Sequence, residues 1–308
     1  MPSSLKYRQL LLVMVVAALV HGCAGSDDPA EPVDGSSDES ATSSGPTPDS
    51  GWIFDHTHSD LSRVPQQWIT TAKQNLRIAY GHTSHGSQIV TGMEALQRVL
   101  GAPYGFDLHW GYHGGAFFND GGFEGADDLG SPDRRAWSSA TRRLFQRNGG
   151  CDRNVVMWSW CGQVDGTQAE IQSYLDQMAT LERDFPDTRF VYMTGHLDGS
   201  GENGNVHRRN EQIRAFCRNN GKVLFDFADI ESWDPDGDTY YLPLHADDGC
   251  NYDGGNWADE WLSAHPGSEL ATLARACDDC AHSETLNCVL KGRVFWWMAA
   301  RLAGWEGV

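Results

Sequence analysis

Two separated segments of this chain carry residues able to do nucleophilic chemistry. The first is Leu76-Arg-Ile-Ala-Tyr-Gly-His-Thr-Ser-His-Gly-Ser-Gln-Ile89, which begins apolar, breaks at Gly81, presents hydroxyls and imidazoles, and runs on into a helix-like stretch from Val90 to Leu100. A sharp turn at a strand's carboxyl end lifts a side chain out of the sheet. The helix that follows aims its first N–H groups at developing negative charge. The second segment is Asp279-Cys-Ala-His282-Ser-Glu-Thr-Leu-Asn287, just ahead of the last helical run. An Asp and a His three residues apart on one turn can hydrogen-bond, the carboxylate fixing the imidazole tautomer and stabilising imidazolium. Ser84 is the preferred nucleophile, because it lies at the turn and Gly86 permits a tight backbone there. Thr83 and Ser87 are the alternatives, with Ser87 expected inside the helix.

The intervening sequence says what must position these groups. Short apolar runs near 76–81, 106–110, 154–160, 189–194 and 222–227 end in glycine or polar residues, and most are the near-continuous β-branched and aromatic runs of strands covered on both faces. Helical patterns lie between them: Trp137 to Gln146, Thr167 to Phe185 (stopped by Pro186), Asn205 to Asn219 (with Gly221 beyond), and Leu286 to Leu302. Alternating strands and helices imply an α/β fold with a parallel five-stranded sheet and helices on both faces. Right-handed crossovers predict the order 2-1-3-4-5. Such sheets bind ligands beyond their strands' carboxyl ends, where the unusual polar residues fall.

With the strand-end serine and the late Asp-x-x-His in place, residues 76 to 305 resemble the SGNH (GDSL-type) hydrolases. That resemblance implies a flavodoxin-like three-layer α/β/α sandwich and ester hydrolysis through an acyl-enzyme, with Ser84 as nucleophile, His282 as base and Asp279 as its orienter. Gly81-His-Thr-Ser-His-Gly86 stands where the family carries Gly-Asp-Ser. Gly114 or Gly115 falls at the family's oxyanion glycine, and Gln163, in Cys161-Gly-Gln-Val-Asp165, at its oxyanion asparagine. The implied oxyanion hole is then Ser84 and Gly115 N–H with the Gln163 amide. Family analogy and the twelve tryptophans point to acyl groups on carbohydrate as substrate.

Other candidates surround this core reading. His82, His85 and His196 would face the same mouth as substrate contacts, with Trp110 and Trp160 as aromatic ones. One rival function is a polysaccharide lyase using the histidines as acid and base. Another is a non-catalytic glycan-binding module with Trp110, Trp158 and Trp160 as platforms. Asp55-His-Thr-His58 is expected to serve the surface or packing rather than a metal, and His265 has no strand-end context. No cofactor is expected. Asp234, Asp236 and Asp238 alternate as in hard-cation loops, so a structural calcium is the alternative to an Asx-rich turn.

The remaining features bound the compartment. Lys6 and Arg8, an apolar run from Leu10 to Val20, and Val20-His-Gly-Cys23 describe an export signal over residues 1–23 whose end resembles a bacterial lipobox, with Cys23 acylated. Residues 24–50 are mostly Ser, Gly, Pro and acids with no aromatic or basic residue, a flexible acidic tether. Residues 51–308 form the hydrolase domain, with a net charge of about −14 that disfavours nucleic acid. The expected location is extracytoplasmic, lipid-anchored or secreted, with contact to a membrane through the lipid alone. Export suits disulfides, and up to three are expected among the seven later cysteines, with Cys250, Cys277, Cys280 and Cys288 stapling a loop-rich C-terminal third.

Overall fold

The computed structural model describes residues 52–110, 117–147 and 151–307. The signal, Cys23, the tether, Gly114 and Gly115 lie outside the described residues, as does the side chain of Trp110. Seven parallel strands form the sheet: β1 (Trp52–Phe54), β2 (Ile78–Gly81), β3 (Leu108–Trp110), β4 (Phe118–Asp120), β5 (Val155–Trp158), β6 (Arg189–Met193) and β7 (Val223–Phe225), in the order β1-β7-β6-β5-β2-β4-β3. The five expected strands are present in the expected order, but the sheet is larger than expected by two. β4 separates β2 from β3, and β1 adds an edge beyond β7. Both additions are three residues long, too short to show a period. β4 also hides polar residues inside: Asn119 and Asp120 are buried, bonded by Arg153 and His82 respectively.

Nine helices accompany the strands among the described residues: α1 (Gln66–Asn75), α2 (Ser84–Leu100), α3 (Ala136–Phe145), α4 (Gln168–Asp184), α5 (Asn205–Asn219), α6 (Phe227–Ser232), α7 (Trp257–Ala264), α8 (Glu269–Ala276) and α9 (Thr285–Leu302). Connections running toward the β3 edge carry α1 and α2, which pack with α9; those running back carry α3, α4 and α5, which pack in succession. Right-handed crossovers put these two sets on opposite faces. The chain reverses its direction of progress between β2 and β5, so their carboxyl ends border the crevice where such sheets bind ligands.

Helix α9 is apolar nearly all round, with residues from Leu286 to Gly292 and from Val294 to Ala300 buried. It crosses α2 at facing glycines. A Cβ on Gly92 would lie 1.8 Å from the Cys288 carbonyl oxygen, and one on Gly292 would lie 2.5 Å from the Gly92 carbonyl carbon. Only residues without a side chain permit this approach. It brings the start of α2 beside the segment leading into α9.

One disulfide, Cys280–Cys288, is present, while Cys151, Cys161, Cys217, Cys250 and Cys277 are free. Among the described residues one bridge forms, within the expected number, and of the four cysteines expected to staple the C-terminal third only Cys280 and Cys288 do so. Cys217 is buried in the core from α5, and Cys250 is buried beside the Ser283 hydroxyl at 3.6 Å. No helix among the described residues is long and apolar enough to cross a membrane.

Candidate active site

The strand–turn–helix at β2 forms as the sequence suggests. Gly81 ends β2 against the Trp158 ring, where a Cβ would sit 2.3 Å from the indole. Thr83 occupies the N-cap position of α2 with an extended backbone, yet makes no side-chain cap. Its hydroxyl instead donates to Asp128 at 2.5 Å. The first amides of α2, on Ser84, His85 and Gly86, have no intrahelical acceptors by geometry, and the diverted threonine leaves them uncapped. Gly86 is required by crowding: a Cβ there would meet Ser159 Oγ at 2.2 Å and His82 Cβ at 2.3 Å, while Tyr80 OH donates to its carbonyl at 3.0 Å.

Ser84 Oγ lies 2.9 Å from His282 Nε2, across 198 residues of sequence. Several contacts hold the His282 segment. The Cys280–Cys288 bridge ties it to α9, and the buried Gln88 amide of α2 donates to the Ala281 carbonyl at 2.6 Å. Gln88 in turn accepts from the fully buried Lys291, whose ammonium also pairs with Glu231 at 2.6 Å. Burial pulls the Lys291 pKa down, against the pull of Glu231. The other Glu231 oxygen accepts the Leu197 N–H at 2.8 Å. One buried charge pair thus braces both the His282 segment and the backbone after His196.

Asp279 does not join this pair. It is exposed and makes no hydrogen bond to His282. Cys280 is buried in its disulfide and His282 has left-handed backbone (φ 62°), so the segment is a non-helical turn in which the three-residue spacing fails to bring acid and imidazole together.

The carboxylate at the site is Asp248, which the sequence did not single out. Its Oδ2 lies 2.9 Å from His85 Nε2, and His85 Nδ1 lies 3.1 Å from Cys161 Sγ. That sulfur lies 3.3 Å from Ser84 Oγ. An unbroken series of polar contacts therefore runs Asp248–His85–Cys161–Ser84–His282. The His85 ring is sandwiched between His196 (centroids 3.9 Å, planes 4° apart) and His282 (4.4 Å, 12°). Burial, reinforced by His196 and opposed by Asp248, depresses the His85 pKa below 6.5. Burial disfavours charge on Asp248, but the His85 hydrogen bond and the neighbouring histidines outweigh it and hold its pKa below 3.8.

The remaining candidates divide. His82 sits apart, bonded through Nε2 to the buried Asp120 and through Nδ1 to the Thr83 carbonyl at 2.9 Å. Trp160 is buried, its indole donating to the Met193 carbonyl at 3.1 Å, and Trp158 is buried with its indole on Thr141 at 2.9 Å. Neither can be the stacking platform or substrate contact expected of it, because β5 and the two residues after it turn both rings into the core with their N–H groups satisfied internally. Gln163 turns its side-chain oxygen to the Cys161 N–H at 2.8 Å. His265 stacks on Trp261 and bonds its carbonyl at 2.9 Å, as a surface residue. Asp234 accepts the Asp238 N–H at 3.1 Å, closing the loop on itself, and Asp236 accepts the Trp261 indole N–H at 2.7 Å.

Among the described residues, two groups bring ligand-type atoms within 4.8 Å of one another: His85, His196 and Asp248; and Asp55, His56 and Asp229. In the first, the parallel rings direct their lone pairs within separate planes. An ion shared by both imidazoles would lie out of the plane of at least one ring, so the stack must open before these residues could chelate together. In the second, His56 Nδ1 bonds Asp229 at 2.5 Å and the ring stacks on Trp233, while His58 bonds Asp55 at 2.9 Å, in keeping with a packing role. No family model, curated protein or solved structure matches the chain.

Proposed function

We propose that this protein is a serine hydrolase of SGNH type and flavodoxin-like fold that cleaves carboxylic esters, with acyl groups on carbohydrate as its substrate class. The observation that carries the reading is the 2.9 Å contact between Ser84 Oγ and His282 Nε2, made at the carboxyl end of β2 beside an uncapped helix start. In the proposed reaction His282 Nε2 takes the Ser84 proton as Oγ attacks the ester carbonyl. The oxyanion forms against the first amides of α2, where the helix dipole and N–H groups favour negative charge. His282 then protonates the leaving alkoxide, and water releases the acid by the reverse sequence. Asp248 takes the charge-balancing role expected of Asp279, which is exposed and makes no hydrogen bond to His282, acting across the stack. His85, kept neutral by burial, lets a single imidazolium form there. Residues 1–23 and 24–50 support export and display on a tether, with lipid at Cys23.

A fluorophosphonate probe and a panel of acetylated sugars test this reading. Ser84 should be labelled, and Ser84→Ala and His282→Ala should each lower turnover by ~10³-fold or more with far from additive effects, while the thermal transition stays cooperative. Full activity in Ser84→Ala, lost in His85→Ala or His196→Ala with unsaturated product formed, would hand the chemistry to a histidine-based lyase.

A further inference from the structure

We infer that Cys161 is a second nucleophile of this cleft, a thiol with its own base and orienting acid, and that it attacks acyl carbonyl carbons to form a thioester. The inference takes its electrophile from the proposed function; the arrangement of the thiol stands on its own geometry. Nε2 of His85 faces the Asp248 carboxylate at 2.9 Å, so that nitrogen carries the proton. The lone pair is then on Nδ1, which faces Cys161 Sγ at 3.1 Å. Thiol, imidazole and carboxylate stand in the series that activates nucleophilic cysteines. No carboxylate is hydrogen-bonded directly to His282, whereas His85 has one, since Asp279 is exposed and unbonded to His282 and Asp248 bonds His85.

The other thiols make the contrast. Cys217 and Cys250 are buried, and burial pushes Cys250 and Cys277 up to about 12 and Cys151 upward as well. Among the described residues only Cys161 has an imidazole on its sulfur. It is half-buried at the carboxyl end of β5, in the crevice where the sheet reverses direction. Its sulfur is 3.3 Å from Ser84 Oγ, so a carbonyl placed for one nucleophile is within reach of the other.

The step balances as follows. The Cys161 proton passes to His85 Nδ1 while Sγ bonds to the carbonyl carbon and the π pair moves to oxygen. Collapse breaks the carbon–alkoxide bond, the alkoxide takes the proton from His85 Nδ1, and a thioester and an alcohol result. Water then attacks the thioester, giving a carboxylic acid and restoring the thiol.

The test uses the full chain. Iodoacetamide at neutral pH, followed by peptide mapping, should alkylate Cys161 at least about ten-fold faster than Cys151 or Cys277 in the same molecule. His85→Ala and Asp248→Asn should each erase that advantage, Asp248→Asn serving as the variant that keeps the ring stack. In Ser84→Ala, p-nitrophenyl acetate should acetylate Cys161, with release by neutral hydroxylamine. Alkylation no faster than at Cys277, indifference to both variants, or no acetyl group on Cys161 would overturn the inference. Failure of the serine reading shows separately, as loss of fluorophosphonate labelling at Ser84 in Cys161→Ala.

Discussion

Replacing Gly92 by alanine sets two physical effects against each other and reads the result at the site. In a helix interior alanine is favoured over glycine by about 1 kcal/mol, so propensity alone predicts a more stable protein. At this position, however, the new Cβ would stand 1.8 Å from the Cys288 carbonyl oxygen, where contacts under 3.0 Å are essentially never seen. The obstacle is helix backbone, which cannot swing aside without breaking its own hydrogen bonds, so α2 and α9 must part by about 1.2 Å. Overpacking of this kind costs about 1–3 kcal/mol, which after the propensity gain leaves a net loss of about 0–2 kcal/mol and a Tm lowered by up to a few degrees. The larger effect falls on turnover. Ser84 opens α2 and His282 precedes α9, so the same displacement stretches their 2.9 Å contact beyond hydrogen-bonding reach. A misplacement of about 1 Å can cost about 100-fold in rate. Urea melts beside steady-state ester kinetics on the purified variant decide the matter. A Gly92→Ala protein with raised Tm and unchanged kcat would refute the claim that this helix crossing sets the Ser84–His282 distance.

Two further outcomes follow from the charges. Asp279→Asn should leave kcat within about two-fold of the parent in steady-state assays, since an exposed carboxylate unbonded to His282 contributes little through water. The two perturbed histidines should act on stability in opposite senses. The His85 pKa is depressed below 6.5, so between its folded value and 6.5 the unfolded chain binds more protons and stability falls as pH drops. For His56, burial opposes charge but the Asp229 carboxylate outweighs it and raises the pKa. Its contribution is therefore fully present below 6.5 and lost as pH rises through the folded value. Urea melts of the parent and Asp229→Asn across this range should diverge most on the acid side; a difference that grows toward alkaline pH would contradict the assignment.

The parts of this molecule that were legible in sequence are those governed by local pattern. The strands around Val155, Val191 and Leu224 announce themselves as apolar runs, and the turn from Gly81 to Gly86 carries its own chemistry in its residue types. The Ser84–His282 pairing was legible through the resemblance, whose layout sets a strand-end serine and a late histidine together. What escaped depends on contacts distant in sequence. β4 is buried despite Asn119 and Asp120 because Arg153 and His82 satisfy them from elsewhere. Asp248 lies in an irregular segment with no periodicity, and only folding brings it to His85. The Asp-x-x-His spacing misled because a disulfide, which no spacing rule can pair, takes Cys280 out of the helical geometry that the spacing presumes. Trp158 and Trp160 misled because an aromatic at a strand end can face cleft or core, and its residue type is the same in both.

The strand direction carries an implication for orientation. Every strand of the sheet is parallel, so Trp52, the first residue of β1, stands at the amino ends of the strands, while Ser84 opens at their carboxyl ends. Helix α2 alone, with 17 residues, spans about 25 Å between those two rims. The chain therefore enters the sheet at the rim opposite the mouth of the cleft, so a partner fused directly ahead of Trp52 would start about one helix length from Ser84.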